Sequence, residues 1–187
     1  QWGNSLFKMR EKTDTGPIID FEPFMIEPRD DVRTAYLKVD FTTLKMLRRA
    51  IPKIEDGTIE LVPQDDTRAT RYYKRAPKDG KIDLSWSSKK INDYIRALTH
   101  PYPGAFLKTK AGDLTLWAAE SDIAPSAFRS LPVGEICDKV RGKGVAVKTG
   151  SDDAIWLKRV SFEGSEQWAD DWLESSIFSV GDSLIEK

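Results

Sequence analysis

The sequence predicts an α/β region followed by an all-β region that closes into a small barrel. Three observations carry this prediction. Near the start, two strand-like runs flank a charged turn and are followed by one long amphipathic stripe. In the second half, short strand-like runs recur at near-regular spacing with turns between them. Across 187 residues the chain is 40% hydrophobic, enough for a sizeable core in one domain or two small ones.

Taken in order, residues 4–9 and 18–26 read as strands around Arg10-Glu11-Lys12-Thr13-Asp14-Thr15-Gly16-Pro17, a charged turn closed by the breaker pair Gly-Pro. Pro28-Arg29-Asp30-Asp31 supplies a helix-start signal. From Val32 to Ile54 the apolar residues Leu37, Phe41, Leu44, Leu47 and Ile51 fall three and four apart, on one helix face, and Asp56-Gly57 ends it. The first 60 or so residues thus spell β–turn–β–α, the tail of an α/β unit. The segment 61–77 is polar and without a period, as a linker would be. A short helix over 91–98, led by Ser87-Ser88, is stopped by Pro101 and Pro103. Strand-like runs follow at 105–108, 114–119, 134–138, 144–148 and 154–160. The last 27 residues carry seven acids and one lysine, and read as a short helix or an irregular cover over the barrel.

The charge balance, 29 basic against 30 acidic residues, excludes a globally basic nucleic-acid binder and an acidic disordered tail. A single cysteine, Cys137, excludes an internal disulfide framework, and a single histidine, His100, excludes a multi-histidine metal site; no metal is expected. No apolar run approaches the ~18–20 residues of a membrane span. The expectation is a cytoplasmic chain with no membrane partner. It opens Gln1-Trp2-Gly3, without methionine and directly into a strand, and is read as a fragment entered in mid-fold.

Asp14-Thr15-Gly16 stands where two strands meet, a place where α/β sheets bind ligands. The plainer reading is an aspartate holding a tight turn through its own side chain. The same tripeptide forms the active loop of aspartic proteases, but here Pro17 follows it, no second copy exists, and a long helix comes next. His100, at the end of the short helix, reads as a partly exposed capping residue, and Cys137 as an inert thiol in a strand. Arg68, Arg71, Lys74, Arg75, Lys78, Lys81, Lys89 and Lys90 give the stretch 68–90 a net charge of +6. It is either a solvated linker or a hold for phosphates.

Several blocks in order resemble the folate-dependent formyltransferases, the group that includes methionyl-tRNA formyltransferase and the nucleotide-sugar N-formyltransferases. They are Ser5-Leu6-Phe7-Lys8-Met9 with Asp14-Thr15-Gly16-Pro17-Ile18-Ile19, then 73–83, 91–106, 114–119 and 132–136. The resemblance runs to about Val160. It implies that residues 1–60 are the C-terminal part of a Rossmann-like formyltransferase domain, 61–82 a basic interdomain linker, and 83–187 an OB-like barrel domain with a leading helix. It implies 10-formyltetrahydrofolate as donor and an amine as acceptor, with Asp14 as the catalytic aspartate. Arg10, Glu11, Lys12, Thr13 and Asp14 would line the folate site. The family's Asn-x-His element does not occur in this sequence, and neither Asn4 nor His100 takes those roles by position; the chain itself is therefore expected to be inactive. Pro101 to Phe106 and Ala76 to Gly80 favour a nucleotide-linked amino sugar as acceptor, whereas the basic stretch favours methionyl-tRNA. A third reading, a non-catalytic binding module that uses the barrel and associates with a partner or as a homo-oligomer, stays open.

Overall fold

The computed structural model describes residues 2–122, 125–150 and 153–185. The chain divides into two units, Gln1–Lys74 and Arg75–Lys187. In the first, strands β1 (Trp2–Phe7) and β2 (Ile18–Phe24) form an antiparallel pair, followed by helix α1 (Val32–Glu55). Asp31 caps α1: its carboxylate accepts the Thr34 N–H at 3.0 Å while the Thr34 hydroxyl accepts the Asp31 N–H at 2.9 Å. Pro52 and then Gly57, at φ 68°, bring the helix to its end.

The face of α1 that meets the hairpin carries one large apolar side chain, Met46, between small or polar ones. Thr42, Met46 and Ala50 are buried, and the Asn4 amide donates to the Val39 carbonyl and to the Thr42 and Thr43 hydroxyls at 2.7–3.2 Å. Arg49 pairs with Asp20 and Glu22 of β2 at 2.9 and 2.8 Å. The apolar stripe found in the sequence forms as one helix face but lies in solvent, with Leu37 67% and Phe41 62% exposed.

The second unit begins with helix α2 (Ser88–Leu98), capped by Ser87. Strands β3 (Ala105–Thr109), β4 (Gly112–Asp122), β5 (Ile136–Val140), β6 (Gly144–Lys148), β7 (Ala154–Phe162) and β8 (Ser165–Trp168) form one antiparallel sheet in the order β3-β4-β7-β6-β5. β8 pairs with β7 beside β6, and helix α3 (Ala169–Ser175) follows. β4 and β7 are the long central strands. Their inward residues Leu114, Leu116, Ile155, Leu157 and Val160 pack with Ile91 and Ile95 of α2 and with Trp172, Phe178 and Leu184 of the C-terminal part.

The predicted OB-like barrel is corrected by this topology: the sheet is open. Closure requires the edge strands β3 and β5 to pair with each other, and among the described residues they do not. Irregular segments occupy their edges instead. Ile82 donates its N–H to the Phe106 carbonyl on β3 at 2.8 Å, and Ile136 of β5 exchanges hydrogen bonds with Gly181 and Asp182, both at 2.9 Å. β8 has no counterpart in the sequence reading; at four residues, three of them polar and none buried, it carries no apolar alternation to find.

Candidate functional site

The loop from Lys8 to Pro17 joins β1 to β2 and holds all five residues singled out for folate binding. Its base is closed by the Lys8 N–H donating to the Pro17 carbonyl at 3.0 Å. Gly16 is buried there, and a Cβ on it would stand 1.6 Å from the Lys8 carbonyl oxygen, so only glycine fits. Asp14 adopts the left-handed conformation, φ 56°, which aspartate tolerates better than most residues.

Two contacts fix the tip. The Thr15 hydroxyl donates to the Lys12 carbonyl at 2.8 Å, and the Gln64 amide donates to the carbonyls of Asp14 and Gly16 at 3.0 and 2.6 Å. Gln64 reaches the loop because Val62 pairs with Ile18 through two backbone hydrogen bonds of 2.8 and 2.9 Å. The segment read as a featureless linker therefore supplies the clamp on the loop. A lone glutamine in a polar run gives no sequence signal for that.

Among the described residues the Asp14 carboxylate makes no hydrogen bond or ion pair, so it does not hold the turn; its backbone is held and its charge left facing solvent. Arg10, Glu11, Lys12 and Thr13 are exposed beside it. The loop thus presents two cations, two carboxylates and a hydroxyl on a pinned backbone, donors and acceptors of the kind that suit a polar heterocycle carrying carboxylates.

The other candidates lie elsewhere. Asn4 is absorbed by its bonds to α1. His100, half exposed, stacks on Trp117 with ring centroids 3.9 Å apart and 7° between planes, and its Nε2 lies 3.1 Å from the Glu166 carboxylate. Glu166 also accepts from Arg159 at 2.9 Å. Burial works to raise the Glu166 pKa, but the bonds from His100 and Arg159 outweigh it and hold the carboxyl below its usual range. His100 is thus a lateral clasp on the β4–β8 face, where the sequence placed a helix cap. No group of three or more His, Cys, Asp and Glu side chains gathers as a metal site among the described residues, and no helix there is long and apolar enough to cross a membrane.

The formyl transferase C-terminal domain family matches residues 74–176. Among solved structures the chain resembles HypX from Aquifex aeolicus in complex with tetrahydrofolic acid, at 18% identity and a TM-score of 0.73 over 94% of this chain and 30% of that one. It resembles an N-formyltransferase from Helicobacter canadensis, in complex with folinic acid and dTDP-3-aminofucose, at 16% identity and a TM-score of 0.62 over 82% of this chain and 54% of that one. Methionyl-tRNA formyltransferase from Clostridium thermocellum aligns at 24% identity and a TM-score of 0.50, over 65% and 51% of the two chains. At these identities the likeness is one of fold. The chain spans 30% of HypX and about half of the other two.

Proposed function

The chain belongs to the formyl transferase family by its C-terminal domain, and from that premise we propose that it is part of an enzyme transferring a formyl group from 10-formyltetrahydrofolate to an amine. The observation that carries the reading beyond the family is Asp14: a carboxylate with an immobilised backbone and a solvent-facing, unpaired charge at a strand-end loop. When bound, the folate supplies an activated one-carbon acyl group. Arg10 and Lys12 offer cations for its carboxylates, and Asp14 accepts hydrogen bonds from the N–H groups presented to it. An amine that becomes an amide must shed a proton, and Asp14 is the acceptor for it.

The acceptor is a nucleotide-linked amino sugar, supported by the sequence of residues 76–80 and 101–106. Methionyl-tRNA is the second reading, favoured by the exposure of all eight basic residues between Arg68 and Lys90. By itself the chain is inactive in formyl transfer, because of the three catalytic side chains the resemblance asks for it holds only the aspartate.

Titrating folinic acid into the 15N-labelled chain tests the donor site. Shifts at the amides of residues 10–14 are expected, with binding about tenfold weaker in Asp14→Asn, the loss of one charge-assisted hydrogen bond. Shifts confined to other segments would reject the loop. Turnover by the 187-residue chain with 10-formyltetrahydrofolate and an amino-sugar nucleotide or methionyl-tRNA would reject the inactivity.

A further inference from the structure

The outward face of α1 is apolar, and its charges follow a pattern about the middle of the helix. Leu37, Phe41, Leu44 and Ile51 are each about half exposed or more, while Thr42, Met46 and Ala50, on the other side, are buried. The solvent face of a helix is ordinarily polar, and a contiguous apolar strip there marks an interaction site. At 3.6 residues per turn, positions four, seven and eleven residues from Leu44 fall within about 40° of it around the axis. They are Asp40 and Arg48, Leu37 and Ile51, and Arg33 and Glu55, and all six are exposed.

Along this line the charges alternate: Arg33 positive, Asp40 negative, Arg48 positive, Glu55 negative. Each residue before Leu44 therefore has its complement at the same distance after it, apolar for apolar and opposite charge for charge. Arg33 pairs with Asp31 at 2.9 Å, but its side chain is 62% exposed, so it exchanges partners at little cost.

A surface with this antisymmetry is complementary to itself turned end for end. Two copies of α1 laid antiparallel, with a two-fold axis at Leu44, set Leu44 against Leu44 and Leu37 level with Ile51. The same placement sets Asp40 level with Arg48 and Arg33 level with Glu55, and each of these pairs occurs twice. Laid parallel, the helices set Asp40, Arg48 and Glu55 each level with its own copy, and like charges repel. A helix of unrelated sequence could cover the apolar strip, but nothing would give it four charges in this order.

We infer that the outward face of α1 is the interface of an antiparallel, two-fold symmetric dimer of this chain. Arg33 to Glu55 spans about 33 Å at 1.5 Å per residue. One helix face of that length is small beside the ~800 Å2 per partner of a standard interface, so the dimer is weak, with a Kd of about 10–100 µM, and the dilute chain is monomeric. Formyl transfer plays no part in this, since every residue used lies on α1.

Sedimentation equilibrium of the full chain from about 5 µM to 1 mM tests the interface. The average mass should rise from one chain toward two with no larger species, because a two-fold interface closes on itself. Asp40→Arg and Arg48→Asp should each weaken association about fivefold, and the two together should restore it, since the exchanged charges again lie level with their opposites. Leu44→Asp, on the axis, should abolish the dimer. All three positions are exposed, and an unchanged helical circular dichroism spectrum shows that the variants remain folded. A chain that stays monomeric at about 1 mM overturns the assignment. So does a Leu44→Asp variant that associates as the wild type does. Single reversals without effect, or a double variant that is not restored, equally overturn it, because a parallel pair or a contact on another face behaves in that way.

Discussion

Cys137 on β5 is half-buried, and its thiol donates weakly to the Glu135 carbonyl at 3.5 Å. Burial first, and then the Glu135 carboxylate, push the thiol from the usual 9.0 up to about 11. Because the thiolate is the reactive form, the folded chain at pH 8 holds about 100-fold less of it than a thiol of ordinary pKa. Maleimide labelling at pH 8 should therefore be about 100-fold slower in the native chain than in urea, and should accelerate as the pH approaches 11. Native labelling as fast as in urea would show that the thiol is neither buried nor suppressed. For this residue the sequence reading, an inert thiol in a strand-like run, agrees with the structure, because the strand half-buries it. At the Asp14 loop the Gly-Pro pair and the charged run mark the turn, but the sequence reading that the Asp14 side chain holds it is not met, because Thr15 and Gln64 do so. The sequence is silent on Gln64, whose role depends on where a distant segment is laid down.

At the scale of elements, α1 is held to the hairpin by charge and amide contacts more than by apolar packing. Hydrogen bonds from Arg49 are the leading cause that holds Asp20 below its ordinary 3.8, with burial opposing. Hydrogen bonds from Arg49 and then Lys45 hold Glu22 below its ordinary 4.5. Carboxyl groups depressed in the folded state contribute stability that is complete above their ordinary pKa values and is lost as pH falls through the depressed ones. Amide exchange along α1 should therefore speed up in the wild-type chain as pH drops below about 4.5, after correction for intrinsic rates. In Arg49→Ala the helix should exchange faster at pH 7, and the gap between the two chains should shrink toward pH 2–3. A gap independent of pH would mean that Arg49 acts through packing. Here the sequence reads well wherever the signal is local. Asp31 and Asp56-Gly57 bound α1 to within a residue, and Ser87 starts α2. It fails where strands choose partners: five short runs with turns between them are compatible with a closed barrel and with an open sheet, and Ile82 and the 181–184 segment decide between these by taking the edges.

For the whole molecule, the distribution of core is the deciding quantity. Among the described residues, the buried apolar side chains of the first unit are Met46 and Ala50, with Pro17 of the β1–β2 loop, and the others fall between Ile82 and Leu184. Folding must offset the conformational entropy of every residue it orders, and burial of apolar surface is the main term that does so. The second unit meets that requirement with a continuous core of α2, both central strands and the C-terminal segment. The first leaves Leu37, Phe41, Leu44 and Ile51 of α1 exposed and has little beyond polar contacts to set against the cost. The segment 75–187 expressed alone should therefore unfold cooperatively, with a melting temperature within a few degrees of the transition seen for that unit in the full chain. The segment 1–74 alone should show no cooperative transition and little amide protection beyond α1. Calorimetry of the two segments and the full chain measures this directly. A sharp transition in 1–74 would mean that its ion pairs and amide bonds suffice without a core, and loss of the transition in 75–187 would mean that its apparent core depends on the first unit.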